Sequence, residues 1–252
     1  MTSVTKRISM IKQPRGGYIN PNTLEVIEFK ADFKLNEQEN IHPNLVGTVV
    51  DYLTRFRLGE AIDDAFGISL LGADKLNDSK QALKILNEIN GLDDNSIINA
   101  CKMVGYDVAH RSSVLSYKHH SEINPDKDTV ENIKIMVDRC QSFFETYGPV
   151  VFKGFTFEGG YTQLVTSGDG DYLTKDSLWD IKVSISAPSK NHTLQGLIYY
   201  LMGKKSKKAR FFDTIEYVGI YNPRLNNLYR FKLASIPSET IKEVSENIIG
   251  YY

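Results

Sequence analysis

Residues 170–185 leave this chain few folds to choose from. Trp179, Ile181, Val183 and Ile185 are apolar, and Asp180, Lys182 and Ser184 between them are polar. A period of two belongs to a β-strand with one apolar and one polar face, so Asp180 and Lys182 share a side. Residues 170–173 form a second short extended run, and Thr174-Lys175-Asp176-Ser177 is a polar link of hairpin length. With Leu173 set opposite Leu178, Tyr172 falls opposite Trp179 and Asp171 opposite Asp180. Opposed residues on antiparallel strands have Cβ atoms roughly 4.5–5.5 Å apart. Two carboxylates that close destabilise a hairpin unless something neutralises them. A divalent cation such as Mg²⁺ does so, because hard cations take carboxylate oxygens. Lys182 then lies beside the ion, placed to hold an attacking water or to steady a phosphate oxygen. A plain surface ion pair between Asp180 and Lys182 is the competing reading.

A helix is expected next, opened by Asn191 or Ser189 and stopped at Gly203. Gln195 and Tyr199 are four apart and share a face, with His192 and Met202 near it. Leu194, Leu197, Ile198 and Leu201 supply the buried side. The ordered set Asp171, Asp180-Ile181-Lys182 and Gln195-Gly196-Leu197-Ile198-Tyr199 resembles the PD-(D/E)XK nuclease superfamily, in its RecB-like branch with a Q-x-x-x-Y helix. A D-x-K triplet alone is weak; the series in strand, hairpin and helix contexts is far more specific. Upstream, Gly47-Thr48-Val49-Val50-Asp51 resembles the branch's first motif, G-T-x-x-H, with Asp51 where the family has a metal-binding His. A carboxylate suits Mg²⁺ at least as well. If Asp51 is only a solvated helix residue, the site has one ligand fewer.

The resemblance covers about residues 44–58 and 161–234. It implies an α/β fold, a restriction-endonuclease-like mixed sheet core flanked by helices. Residues 1–252 are expected as a single nuclease domain, with 67–148 as a large helical insertion. It implies Mg²⁺, with Mn²⁺ as a substitute, held by Asp51, Asp171, Asp180 and the Ile181 carbonyl. Lys182 would act on the water or the developing charge, and Gln195 and Tyr199 would position Lys182 and the DNA strand. The implied function is metal-dependent hydrolysis of DNA phosphodiesters, with RNA left open, in repair or recombination. Exonuclease action is expected ahead of site-specific endonuclease action. Two alternatives stand: a non-cleaving nucleic-acid-binding subunit of the same fold, and an interaction protein built on the helical region.

Composition bears on these readings in few places. The 252 residues suffice for one large domain or two small ones with a sizeable core. The net charge of −1 says nothing about nucleic acid, since a nuclease needs only a local basic groove. Such a groove is suggested by 203–210, where Lys204, Lys205, Lys207, Lys208 and Arg210 directly follow the motif helix. A solvated loop is the alternative there. Cys101 and Cys140 sit in apolar helical patterns and read as buried free thiols. No signal peptide and no apolar run near ~18 residues is found, so no membrane is expected and a cytoplasmic location is the default. His119-His120 invites a metal reading, but neighbours in regular structure point apart, so a solvated link is expected.

The remaining elements follow from local pattern. Residues 7–11 and 23–29 look extended, around a Pro14-Arg15-Gly16-Gly17 turn. Val46, Val49, Val50, Leu53 and Phe56 make a helical stripe within 43–66. Residues 67–148 look helical throughout, with Asp93 or Asp94 as one cap and Gly148-Pro149 as the final stop. Strands are expected at 150–156 and 161–166, continuing into the hairpin as a meander. A closing hairpin is expected from 215–221 and 228–234, and a short helix over 239–249.

Overall fold

In the computed structural model, which describes residues 2–30 and 33–252, the chain begins with α1 (Val4–Ser9), β1 (Glu25–Glu28), α2 (Pro43–Arg57), α3 (Ile62–Ala65), α4 (Gly67–Lys75) and α5 (Ser79–Asn87). There follow α6 (Asp94–Gly105), α7 (Asp107–Arg111), α8 (Lys127–Tyr147), β2 (Phe152–Thr156), β3 (Asp169–Leu173) and β4 (Ser177–Ile181). The last are α9 (Lys190–Lys205), α10 (Ala209–Phe212), β5 (Tyr217–Asn222), β6 (Asn227–Lys232) and α11 (Ser238–Glu243), which runs into a π-helical turn, Val244–Ile249. Contacts divide the chain into two compact units: Met1–Lys30 with Phe144–Tyr252, and Ala31–Phe143. The helical body thus starts well before residue 67 and takes in α2, the helix that carries Gly47 to Asp51.

In the first unit the strands form a mixed sheet in the order β1-β6-β5-β4-β3-β2. The fold is α/β, as the motif pattern implied. The β3–β4 hairpin has the expected register, Tyr172 opposite Trp179 and Leu173 opposite Leu178. Its turn closes through the Thr174 N–H, which donates to the Ser177 carbonyl at 2.9 Å. The Trp179 indole N–H donates to Thr174 Oγ1 at 3.1 Å, which ties the strand to its own turn. β4 pairs in parallel with β5. A parallel pair needs a crossover, and α9 supplies it. All five residues of β4 are buried, as befits a central strand.

The two faces of that strand meet different partners. Leu178 joins Leu173, Val218, Leu194, Leu197 and Ile198 in the core beneath α9. Trp179 faces the other way, its ring 5.5 Å from Tyr147, while Tyr172 lies 4.6 Å from Phe144. Two glycines allow this close stacking. A Cβ on Gly196 would fall 2.5 Å from Val218 Cγ1, so α9 rests directly on β5. A Cβ on Gly219 would fall 2.2 Å from the Trp179 ring. Gly219→Val is therefore expected to cost about 1–3 kcal/mol through overpacking. Urea unfolding checks this: the midpoint should fall with little change in slope.

Several local expectations give way to competing interactions. Residues 7–11 are not extended; α1 forms instead, because Ser3 Oγ accepts the Lys6 N–H at 3.2 Å and Val4 and Ile8, one turn apart, are both buried. Residues 161–166 are not a strand. Thr162 Oγ1 accepts from the Leu164 and Val165 N–H groups, each at 3.1 Å, and folds the segment into a turn. The meander is therefore β2–β3–β4. β4 ends at Ile181 rather than at 185, since Asn222 Nδ2 takes the Ser184 carbonyl at 2.8 Å, and Ile185 is exposed. Gly203 does not stop α9, which runs on to Lys205; a Cβ there would fall 2.1 Å from the Phe212 ring. α2 ends at Arg57, short of 66, and Gly59 turns the chain at φ +83°.

In the second unit, buried Asp107 is a junction. It accepts from Tyr52 Oη of α2 at 2.6 Å, from Ser69 Oγ of α4 at 2.5 Å and from Arg111 Nε at 3.3 Å. Three donors from three helices satisfy the oxygens of this buried side chain. Asp93 caps α6 by accepting the Ser96 N–H at 3.1 Å. The unit is not helical throughout: only short 3₁₀ turns, Val114–Ser116 and His120–Glu122, lie between Arg111 and Lys127. Cys101 and Cys140 are buried free thiols, as read from the sequence, and burial pushes each up to about 12. Among the described residues, no helix is long and apolar enough to cross a membrane.

Candidate active site

The end of the β3–β4 hairpin brings the acidic pair together. The antiparallel pairing extends to Tyr172 opposite Trp179, and one step further lie Asp171 and Asp180. There the Asp171 carboxylate, through Oδ2, accepts the Ile181 N–H at 2.9 Å. A side chain thus continues the link between the strands. Asp180 is 7% exposed. Its Oδ2 lies 2.9 Å from Lys182 Nζ, while its buried Oδ1 accepts no hydrogen bond among the described residues. An acceptor-only group buried with an unmet oxygen is costly unless a further positive charge is supplied. Oxygen donors around such a gap fit a hard divalent cation.

Lys182 is held in place by its backbone. Its N–H donates to the Tyr221 carbonyl at 3.0 Å, extending the parallel ladder one residue beyond β4. Burial works to lower its pKa, but the carboxylates of Asp180 and Asp171 outweigh that and hold it above the ordinary lysine value. Lys182 is therefore an ammonium at neutral pH, a donor and a positive charge rather than a base.

α9 roofs this cluster. Gln195 Nε2 donates to Tyr199 Oη at 2.9 Å, and the Tyr199 ring stands 5.0 Å from Phe157, fixed in the core. Burial and then the Asp180 charge raise the Tyr199 pKa, so its hydroxyl keeps its proton. One turn earlier comes His192, whose Nδ1 accepts the Ser189 N–H at 3.2 Å, leaving the ring proton of the neutral form on Nε2. Burial and then the Lys182 charge lower its pKa, while Asp180 opposes them. His192 thus senses the same two charges as the motif residues. The three-residue step from His192 to Gln195 was visible in the sequence, but it carried no role there.

Other expected participants have different partners. Asp51 belongs to the second unit, where Arg55 Nη2 lies 2.5 Å from its Oδ2, one turn along α2. The basic residues are also not at the carboxylates: Lys204 follows Gln195 by more than two turns, roughly 14 Å along the axis of α9. Lys204 pairs with Asp213, and Lys207 with Glu158 at 2.6 Å. Lys205 lies over the Tyr251 ring, Lys208 over Phe152 and Arg210 over Phe211, at 6.0, 5.7 and 4.6 Å. No family model, curated protein or solved structure matches the chain.

Proposed function

We propose that the sheet unit is a divalent-cation-dependent nuclease of the PD-(D/E)XK type, hydrolysing DNA phosphodiesters in the cytoplasm. The observation that supports this most is buried Asp180, with Oδ1 lacking a donor, beside Asp171 and the protonated Lys182. Asp171 and Asp180, with the Ile181 carbonyl, would hold Mg²⁺ or Mn²⁺. Asp51 is left out of the set, its carboxylate being engaged with Arg55. The bound ion would polarise the scissile phosphate and lower the pKa of a bound water.

The chain's own side chains would do the rest. Lys182, held as an ammonium, donates to an oxygen on which charge accumulates during attack. Tyr199, oriented by Gln195, offers a hydroxyl as a second donor near Asp180. Lys205, Lys208 and Arg210 would contact backbone phosphates further along the strand, where affinity is salt-dependent and sequence-independent. Exonuclease action is part of the proposal. With Mn²⁺, the protein should degrade linear DNA and spare closed circles, and Asp180→Asn should remove the activity. An absence of cleavage on single- or double-stranded, linear or circular substrates would favour the non-cleaving binding subunit.

A further inference from the structure

The second unit contains a mixed nitrogen and oxygen cluster that the nuclease reading leaves unused. Asp78, His119 and His120 each offer one ligand atom, and the three atoms lie within 4.8 Å of one another. Adjacent histidines point apart in a regular strand or helix. Here the backbone is not regular: His119 precedes the 3₁₀ turn His120–Glu122, and the two ring centroids come within 4.1 Å. Asp78 arrives from more than forty residues earlier, with Oδ2 4.0 Å from His120 Nε2.

The surroundings hold these groups in place. Asp78 occupies the N-cap position of α5, where an aspartate ordinarily accepts a backbone N–H. It makes no such bond; its Oδ2 accepts from Tyr106 Oη at 2.5 Å instead. Tyr106 stacks on Tyr117 at 5.3 Å, and the Tyr117 hydroxyl accepts the His120 N–H at 3.1 Å. His119 Nδ1 accepts the Ser121 N–H at 3.3 Å and lies 2.7 Å from Ser121 Oγ, so Ser121 fixes the orientation of the ring. Ligands fixed by outer hydrogen bonds of this kind are the usual setting of a bound transition metal.

We propose that Asp78, His119 and His120 form a Zn²⁺-class site, with Tyr106 and Ser121 as positioning residues and water in the fourth position. Two imidazoles with one carboxylate select a borderline ion such as Zn²⁺ over Mg²⁺. The ion would tie the start of α5 to the non-helical segment between α7 and α8. The proposal is independent of the nuclease assignment.

The test uses the full chain carrying Asp180→Asn, so that the acidic pair is silent, after dialysis against chelator. Calorimetric titration with Zn²⁺ should show stoichiometric binding, and Co²⁺ should give visible absorption bands of a low-symmetry site with imidazole ligands. His119→Ala, an exposed position that folding tolerates, and His120→Ala should each abolish both signals. Tyr106→Phe, which keeps the buried ring, should weaken Zn²⁺ about 10–100-fold. Absence of stoichiometric Zn²⁺ binding, or binding that survives loss of both histidines, would overturn the site.

Discussion

Lys182→Ala is expected to reduce Mg²⁺-dependent DNA cleavage on the order of 10²–10³-fold, the scale for removing one preorganised donor from developing charge. The loss should appear in kcat, because the ammonium acts on charge that appears only as the bond breaks. A second signature separates this role from a structural one. Without Lys182, the ammonium next to Asp180 is gone, and Asp180 and Asp171 lose the positive charge that both act on. In chelator the variant should therefore melt below wild type, and added Mg²⁺ should stabilise it by more than it stabilises wild type. Cleavage at wild-type rates by this variant would end the assignment of Lys182.

The second large effect concerns the ion itself. Mg²⁺ or Mn²⁺ at a hundredfold excess over its Kd is expected to stabilise the wild-type chain by about 2.7 kcal/mol. Thermal denaturation in chelator against saturating ion measures it. Asp171→Asn and Asp180→Asn should each remove most of that increment, since each deletes one of two charges facing the ion. In chelator Asp180→Asn loses the ion pair with Lys182 but also the repulsion from Asp171, so its Tm should fall by less than that of Lys182→Ala. An ion-dependent rise in Tm that persists in both variants would place the binding elsewhere.

What could be read in the sequence was what neighbours decide. The Thr174-to-Ser177 link and the alternation on either side fixed the hairpin register, because a slip of one residue would have turned Leu173 and Leu178 away from the core. Gln195 and Tyr199 could be placed on one face for the same reason, and their hydrogen bond follows from a four-residue spacing. Pattern and structure part where a distant group or a side chain outweighs the neighbours. Gly203 looks like a helix stop until Phe212 fills the space where its Cβ would be. Residues 161–166 alternate like a strand, yet the Thr162 hydroxyl satisfies their backbone locally. Asp78 could not be joined to His119 and His120 from spacing, since only the path of α5, α6 and α7 brings them together. The inclusion of α2 in the helical body likewise depends on packing that no local motif announces.

Trp179 is the chain's one tryptophan, and it is buried on β4 next to Asp180 with its N–H bound to Thr174. Its fluorescence is therefore a built-in optical reporter of the sheet unit. Far-ultraviolet circular dichroism follows the helices of both bodies, while indole emission follows the surroundings of β4. Monitoring both signals in one titration would reveal whether the two bodies lose their structure in one cooperative step or in two.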